Sequence, residues 1–323
     1  MAQVVEQSAA LLEGLNPQQR EAVLYRGTAL LIVAGAGSGK TRVLTHRIAS
    51  LLESREAWPS QILAITFTNK AAGEMRERVR SLVGQRADGM WISTFHSACV
   101  RILRREAEIF GYAKGFTIYD AGDTRALLKR IIKEFEADVL GFSVANVAAK
   151  ISKLKNELID ADTYARQANL ADPQEAVFLD MFRQYTRTLS AANAFDFDDL
   201  IAQTVYLFRA FPHVAELYQR RFRHILVDEY QDTNHAQYAL IRELTRPVAA
   251  GSGQPLPPAA LTVVGDSDQS IYAFRGADIR NIVEFEHDFP EAKVVLLEQN
   301  YRSTQTILDA ANAVISNNFD RKP

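Results

Sequence analysis

The stretch ALLIVAGAGSGKT, residues 29–41, decides the fold of this chain. Its first six residues are all apolar, which predicts a strand buried on both faces of a sheet. After the glycine-rich turn, Val43, Leu44 and Ile48 recur at helical spacing. A strand, a glycine-rich turn and a helix in this order form the context of a phosphate-binding loop. The stretch therefore predicts an α/β domain built around a phosphate site.

The glycines of this loop allow backbone N–H groups to turn inward around phosphate oxygens. The N-terminus of the following helix adds partial positive charge. Lys40 supplies a mobile full charge for the β and γ phosphates, and the Thr41 hydroxyl can ligate Mg²⁺. We therefore predict ATP and Mg²⁺ as ligands. The predicted cofactor-binding residues of the loop are Ala34, Gly35, Ala36, Gly37, Ser38, Gly39, Lys40, Thr41 and Arg42.

One position departs from the usual phosphate-loop pattern GxxxxGK[ST], which begins with glycine. Ala34 stands at that place. The alternative interpretation is a chance glycine-rich turn. The intact Gly-Ser-Gly-Lys-Thr sequence between a strand and a helix favours the phosphate loop.

A second apolar run, His224–Val227, ends in the acidic pair Asp228 and Glu229. Asp228 could hold Mg²⁺, directly or through a water, and Glu229 could polarise an attacking water. Phosphoryl transfer depends mainly on positioning and charge compensation. An Asp-Glu pair after a strand is commonly a solvated turn, but beside a phosphate loop we predict a catalytic function.

Four further apolar runs predict strands at residues 62–67, 91–95, 261–264 and 294–297. Helical patterns follow several of these runs, and Ala71, Met75 and Val79 are one example. This alternation predicts a doubly wound α/β domain with a parallel sheet.

Residues 96–221 differ, because they show helical periodicity and few strand patterns. We interpret them as a helical insertion between two halves of the α/β sheet. Its basic residues are solvated helix faces or, alternatively, a surface that touches nucleic-acid phosphates. These residues are Lys129, Arg130, Lys133, Lys150, Lys153 and Lys155.

Composition narrows the class of protein. The 323 residues predict about two domains, and 47% hydrophobic residues allow a sizeable core. The net charge of −2 argues only weakly against a nucleic-acid partner. The single cysteine, Cys99, fits a reducing cytosol. We find no signal peptide, no membrane-spanning run and no histidine spacing typical of a structural metal site.

Several segments resemble the motifs of the UvrD/Rep/PcrA-type superfamily 1 DNA helicases. The stretch DEYQDTN, residues 228–234, resembles motif II of that family. The family's phosphate loop begins AGAGSGKT, as this one does from residue 34, which accounts for Ala34. Six motifs stand in the family's order, and the resemblance covers essentially the whole chain. The other similar stretches are TFTNKAA at 66–72, STFHS at 93–97, GDSDQSIYAFRGAD at 265–278 and QNYRST at 299–304.

The resemblance implies a RecA-like parallel sheet, typical of P-loop NTPases, with an inserted all-helical subdomain. It implies a first motor domain (1A) at residues 1–95 and 218–290 and a helical subdomain (1B) at 96–217. Residues 291–323 would begin a truncated second motor domain (2A). The chain is thus expected to be an N-terminal portion, with weak or no ATPase activity alone.

Around ATP, the resemblance implies that Gln19 reads the adenine. Gln19 also fits a helix start, with Asn16 as N-cap and Pro17 in the first turn. Tyr301 would stack on the base, unless it is a packed aromatic at a domain seam. Gln269 would sense the γ-phosphate, and Arg302 would reach it. The catalytic residues implied in this way are Glu229, Asp228, Lys40, Gln269 and Arg302, with Thr41 and Asp228 as metal ligands.

For DNA, the resemblance implies aromatic stacking combined with groups that hold phosphate or sugar. Phe274 stands where the family commonly has tryptophan, so its stacking would be weaker. The alternative is that these aromatics belong to the core, which we expect for Phe95. The implied stacking residues are Phe67, Phe197 and Phe274 with Tyr272 nearby, and the implied holding residues are Thr66, Asn69, Thr94 and His96.

The function implied is an ATP-dependent 3′→5′ DNA helicase or translocase in repair or replication restart. Its partners would be single-stranded DNA, single-strand/duplex junctions, a C-terminal motor domain and repair proteins, in a bacterial cytoplasm at the nucleoid. Three alternatives stay open: a helicase–nuclease, a nucleotide-regulated DNA-binding module without motor activity, and a small-molecule P-loop kinase.

Overall fold

The computed structural model describes residues 10–249, 253–270, 277–278, 280–283 and 285–316. The chain divides into two compact units. The first unit comprises Met1–Phe95, Ala215–Thr233 and Leu244–Pro323, and the second comprises His96–Val214 and Asn234–Glu243. We call them the sheet unit and the helical unit.

The sheet unit contains a six-stranded parallel sheet in the order β3-β2-β6-β7-β1-β8. In the helical unit, β4 and β5 form a short parallel pair. The strands are β1 (Ala29–Ala34), β2 (Ile62–Thr66), β3 (Trp91–Thr94), β4 (Thr117–Tyr119), β5 (Ala194–Asp196), β6 (His224–Val227), β7 (Ala260–Gly265) and β8 (Lys293–Leu297).

Helices follow most strands, as parallel connections require. None of the helices in the described part of the chain is long and apolar enough to cross a membrane. The helices are α1 (Pro17–Leu24), α2 (Lys40–Glu53), α3 (Asn69–Val83), α4 (Phe95–Glu106), α5 (Ala121–Glu134), α6 (Val144–Asn156), α7 (Ala161–Gln167), α8 (Pro173–Ala191), α9 (Phe197–Ala210), α10 (Pro212–Arg221), α11 (His235–Leu244), α12 (Arg280–Val283), α13 (Phe285–Asp288) and α14 (Gln305–Ile315).

The predicted α/β class is confirmed, and all six predicted strands lie in one parallel sheet. β1 has the predicted bounds, and its residues Leu30, Leu31 and Ile32 are fully buried. A strand inside a parallel sheet is covered on both faces, which is why its sequence is a continuous apolar run. Phe95 belongs to the core, as expected, with 3% of its surface exposed.

The strand predicted at 294–297 is present, but its assignment to a second domain was wrong. The run from Val294 was predicted to open a second domain, but β8 pairs in parallel with β1 along the register Leu30–Lys293 to Ala34–Leu297. The physical reason is that β1 pairs with β7 along one edge only. Its other edge offers N–H and C=O groups that an additional strand satisfies. β8 therefore belongs to the first sheet.

The carboxyl ends of the parallel strands lie at one edge of the sheet, which is where α/β proteins bind ligands. The phosphate-binding loop follows β1, and Phe67 follows β2. Asp228 follows β6, and Asp266 follows β7. The topology thus gathers four separate sequence motifs at the same edge.

The helical unit has its own core, which contains the predicted periodic residues Leu127, Ile131, Val147 and Ile151. The helices predicted for this insertion are present, but the unit is not all-helical as implied, because β4 and β5 form a short parallel pair within it. One basic residue does not lie on the surface as predicted. Lys155 is 7% exposed, and its ammonium lies 2.7 Å from Asp196 and 2.8 Å from Asp199.

Lys155 is buried because of its place on α6. It stands four residues after Ile151 and next to Leu154, on the stripe that packs into the core. The basic surface proposed from sequence is further reduced by Lys150, whose ammonium lies 2.9 Å from Glu175. Lys129, Arg130 and Lys133 are exposed.

His224, the first residue of β6, should make the sheet unit less stable in mild acid. Burial, with Arg47 and Arg26 nearby, lowers the pKa of His224 to about 4 from 6.5. As the pH falls, His224 therefore gains a proton in the unfolded chain at a higher pH than in the folded chain. The stabilisation by the neutral His224 side chain is complete above about pH 6.5 and is lost as the pH falls toward 4. Urea unfolding of wild type and His224→Gln at pH 7.5 and 5 would measure it.

The comparison with His224→Gln isolates this residue, since other groups titrate in both proteins. We expect the loss of stability between the two pH values to be smaller in His224→Gln. Equal losses in both proteins would contradict the assignment.

Candidate active site

The phosphate-binding loop turns through two glycines with left-handed backbone, Gly37 at φ +73° and Gly39 at φ +88°. A Cβ atom at Gly37 would lie 2.6 Å from Cβ of Arg302, and one at Gly39 would lie 2.9 Å from Nε2 of Gln19. Both positions therefore require glycine for conformation and for space. A loop that cradles phosphate with its backbone has this property.

Helix α2 begins at Lys40, directly after the loop. Its N-cap residue is Gly39, so no side chain accepts from the first N–H groups of the helix. These N–H groups have no intrahelical acceptor and carry partial positive charge. Thr41 is half-buried and Arg42 is exposed in this first turn. The arrangement fits a phosphate group at the helix N-terminus.

Ala34 and Ser38 support the loop from within. Ala34 ends β1, is fully buried and pairs with Leu297. Its side chain packs in the core, where the usual glycine would leave space. Ser38 is 2% exposed, and its hydroxyl donates to the carbonyl of Gly35 at 2.6 Å. The loop is thus fixed at both ends by residues of this chain.

Lys40 connects three sequence motifs. Its ammonium donates to Oε2 of Glu229 at 3.1 Å and to Oε1 of Gln269 at 3.3 Å. Gln269 in turn donates from Nε2 to Oδ2 of Asp266 at 2.6 Å. The predicted catalytic residues Lys40, Glu229 and Gln269 therefore lie together. An ammonium ion held by a carboxylate and an amide can turn toward an incoming phosphate.

Asp228, at the end of β6, is 8% exposed. Burial, with the neighbouring Glu229, raises the pKa of Asp228 to about 6. A buried carboxylate of this kind is stabilised when a cation binds to it. Hard oxygen ligands such as this carboxylate and the Thr41 hydroxyl suit Mg²⁺. The donor chemistry of these two residues fits the predicted metal.

In the described part of the chain, no group of three or more His, Cys, Asp and Glu side chains could hold a metal ion. A magnesium ion at Asp228 would therefore take most ligands from hydroxyl, phosphate and water oxygens. This is the usual situation for Mg²⁺ at nucleotide sites.

Glu229 has an unusual backbone, with φ +49° and ψ +47° in the left-handed region. Such a conformation costs on the order of 1–3 kcal/mol for a residue other than glycine, and it is concentrated at functional sites. The 3₁₀ turn Tyr230–Asp232 follows directly. The strained residue aims the carboxylate of Glu229 toward Lys40.

Sequence reasoning missed Gln231 and Asp266 as members of this site, although both lie in the quoted motifs. Gln231 donates from Nε2 to Oε2 of Glu229 at 2.8 Å and accepts from the backbone N–H of Asp266 at 3.1 Å. Gln231 therefore fixes Glu229 to the end of β7. The strand order of the sheet was needed to find this link.

Gln19 lies on the other side of the loop and is 1% exposed. The predicted helix start is present, because Asn16 accepts from the Gln19 N–H at 2.8 Å and Gln19 accepts from the Asn16 N–H at 3.1 Å. Nε2 of Gln19 also donates to the carbonyl of Ser38 at 3.1 Å. The local capping role and the contact with the loop occur together.

The segment that contains Tyr301 and Arg302 also contacts the loop. The side chain of Asn300 donates to the carbonyl of Ala36, and the N–H of Tyr301 donates to the carbonyl of Gly37 at 2.9 Å. The Tyr301 ring is exposed, and its hydroxyl accepts from Nδ2 of Asn16 at 2.9 Å. Arg302 is exposed. Both predicted residues are thus held near the phosphate-binding loop.

Four predicted nucleic-acid residues lie in the sheet unit, at the carboxyl ends of β2 and β3. Thr66 is 1% exposed and donates to the carbonyl of Thr68 at 3.1 Å. Phe67 is half-buried, Asn69 is exposed, and Thr94 is 9% exposed. Of these four, Phe67 and Asn69 offer the larger surface to a ligand.

The helical unit contains two further predicted residues, His96 and Phe197. Their rings lie 5.9 Å apart between centroids in an edge-to-face arrangement. Phe197 is 53% exposed, so its ring is accessible for stacking by a base. Burial lowers the pKa of His96, so the ring is neutral at pH 7. Tyr272 and Phe274 lie outside the described residues.

Comparison with known proteins was consistent with this site. The family model for the UvrD/REP helicase N-terminal domain matches residues 15–290. ATP-dependent DNA helicase UvrD1 of Mycobacterium tuberculosis is 57% identical over 314 residues, which cover 97% of this chain and 40% of the relative. ATP-dependent DNA helicase PcrA of Bacillus subtilis is 51% identical over 316 residues, which cover 98% of this chain and 41% of the relative.

The chain thus spans about 40% of the length of the curated relatives that it matches. The family match includes the phosphate-binding loop, the Asp228–Glu229 pair and Gln269. The alignment with the Mycobacterium tuberculosis relative extends over 97% of the chain. The chain belongs to the UvrD/REP helicase N-terminal domain family.

Proposed function

We propose that this chain is the ATP-binding and single-strand-binding part of an ATP-driven DNA helicase that moves 3′→5′. The observation that carries the proposal is the contact of Lys40 with both Glu229 and Gln269 beside a phosphate-binding loop. A module that only binds nucleotide does not need this catalytic set. The relatives' names, which state ATP-dependent DNA helicase, support the same function.

In the ATP reaction, Lys40 and the N-terminus of α2 would bind the phosphates and compensate their charge. Glu229 would orient the attacking water and accept its proton. Asp228 and Thr41 would hold Mg²⁺, which neutralises charge that develops on the phosphate oxygens. Arg302 would approach the γ-phosphate, since its guanidinium matches phosphate oxygens.

For nucleotide recognition, the Gln19 amide would read the adenine edge and the exposed Tyr301 ring would stack on the base. Gln269 would report the γ-phosphate, because it already binds Lys40 at 3.3 Å and Asp266 at 2.6 Å. If Lys40 moved toward the phosphates on ATP binding, its hydrogen bond to Gln269 would change. The segment after β7, which contains Gln269, would then be affected.

For DNA, Phe67 in the sheet unit and Phe197 in the helical unit would stack on bases. Asn69, Thr66, Thr94 and His96 would hold the sugar–phosphate backbone. We further propose that the sheet unit, which includes β8, is domain 1A, that the helical unit is domain 1B, and that the protein acts in repair on the bacterial chromosome. The bacterial sources of the relatives support this cellular setting.

The Phe67→Ala variant of the full-length protein tests this function. We expect single-stranded DNA affinity to fall about 5- to 150-fold, which corresponds to about 1–3 kcal/mol for one stacked base. ATP affinity should stay the same, because Phe67 lies after β2 and not in the phosphate-binding loop. DNA binding is measured by fluorescence anisotropy, and ATPase activity is measured over a range of DNA concentrations.

Trp58→Ala is a suitable control, because it removes another aromatic ring of the sheet unit that is 73% exposed. This variant should keep the wild-type DNA affinity. An ATPase that does not respond to DNA in the wild-type protein would favour a kinase and contradict the motor. Wild-type DNA affinity in Phe67→Ala would remove Phe67 from the interface.

A further inference from the structure

Asn156, the last residue of α6, contacts two segments of the helical unit at once. Its Nδ2 donates to Oδ1 of Asp198 at 3.1 Å, and its Oδ1 accepts from Nδ2 of Asn234 at 2.8 Å. Nδ2 also donates to the carbonyl of Ser152 at 2.9 Å, which orients the side chain. One half-buried amide therefore links the start of α9 to the start of α11.

The first of these segments surrounds Phe197, the exposed aromatic that we assign to DNA stacking. Asp198 follows Phe197 directly in the sequence. Lys155 holds the carboxylates on either side, Asp196 at 2.7 Å and Asp199 at 2.8 Å. Two adjacent residues of α6 thus hold the three carboxylates that flank Phe197 in the sequence.

The second segment begins with Asn234, which ends the stretch 228–234 that carries the two catalytic acids. Oδ1 of Asn234 accepts from the N–H of Gln237 at 2.9 Å and caps α11. Its Nδ2 donates to Asn156. Asn234 is 8% exposed and follows Thr233 through the peptide bond. The covalent chain therefore connects Asn234 directly to the segment that carries Glu229.

We propose that Asn156 is a positioning residue that couples a DNA base on Phe197 to the segment 228–234, and so sets the stimulation of ATP hydrolysis by single-stranded DNA. The inference rests on the proposed function and adds a route for its regulation. Hydrogen bonds weaken steeply when they are misaligned. A displacement of Asp198 therefore weakens the hold of Asn156 on Asn234, the last residue of the segment 228–234.

The test compares Asn156→Ala with Asn146→Ala in the full-length protein. Asn146 is an exposed asparagine in the first turn of the same helix, so the two substitutions are matched. ATPase activity is measured without DNA and with saturating single-stranded DNA. We expect the DNA-stimulated rate of Asn156→Ala to fall about tenfold, equivalent to about 1.4 kcal/mol. Its rate without DNA and its DNA affinity should stay within about threefold of wild type.

A second variant, Asp198→Ala, removes the hydrogen bond that Asn156 donates to Asp198. This variant tests the inference if Asn156→Ala does not fold. It should show the same loss of stimulation. The double variant should lose no more than either single variant, because both changes interrupt one link.

Three results would overturn the inference. The first is wild-type stimulation in both single variants. The second is an equal fall of the rates with and without DNA, which indicates a purely structural role. The third is the absence of stimulation in the wild-type protein, which would overturn the proposed function as well. If DNA stimulates the wild-type protein but not the variants, the result supports both the inference and the proposed function.

Discussion

Replacing Glu229 by glutamine should leave ATP binding intact and slow hydrolysis about 10²- to 10⁴-fold, the usual contribution of a general base. Glutamine has the same shape and keeps one carbonyl oxygen. This oxygen can accept from Lys40 and Gln231, whose donor atoms lie 3.1 Å and 2.8 Å from Oε2 of Glu229 in the wild-type protein. The local geometry should therefore persist, while the negative charge and the basicity are lost. Single-turnover hydrolysis and fluorescent-nucleotide binding measure the two effects separately.

Glu77→Gln is the matched control, because Glu77 is an exposed glutamate of α3 in the same unit. Its hydrolysis rate should equal that of wild type. A Glu229→Gln rate within about threefold of wild type would show that another group positions the water. Loss of nucleotide binding would instead indicate that Glu229 maintains the loop through Lys40.

The second large effect is expected for the stability of the helical unit. Lys155→Met should lower its free energy of unfolding by about 3–5 kcal/mol, because two buried carboxylates lose their cation. Burial alone would lower the pKa of Lys155, but Asp199 and Asp196 outweigh burial and raise it. The lysine is therefore fully charged in the folded protein. Urea unfolding followed by circular dichroism measures the loss.

Lys153→Met is the control, since Lys153 lies two residues away on α6 and its side chain is 74% exposed. An exposed ion pair contributes about 0–1 kcal/mol, so this variant should remain close to wild type in stability. If Lys155→Met and Lys153→Met were equally stable, the buried ion cluster would have no net role in the fold.

Local sequence determined much of the fold and of the nucleotide site. The run ALLIVA has no polar residue, so it predicts a central strand, and its bounds were confirmed. The Gly-Ser-Gly-Lys-Thr turn and the Asn16 helix cap depend on a few neighbouring residues. Features of this kind are readable because short-range geometry alone determines them.

Features that depend on distant contacts were not predictable in this way. The edge position of β8 follows from the open side of β1, and the link from Gln231 to Asp266 follows from the adjacency of β6 and β7. Lys155 was misjudged because lysine is usually exposed. The sequence did contain an indication of burial, because Lys155 stands four residues after Ile151 and therefore on the same face of α6.

The position of β1 between β7 and β8 has a consequence for biosynthesis. β1 leaves the ribosome among the first strands, but both strands that pair with it are encoded more than two hundred residues later. At about 5–20 residues per second, translation takes on the order of 10–50 s to supply them. During that interval β1, a strand without any polar residue, has neither neighbour. Nascent chains of this protein are therefore expected to need a chaperone that shields residues 29–34 until synthesis passes residue 297.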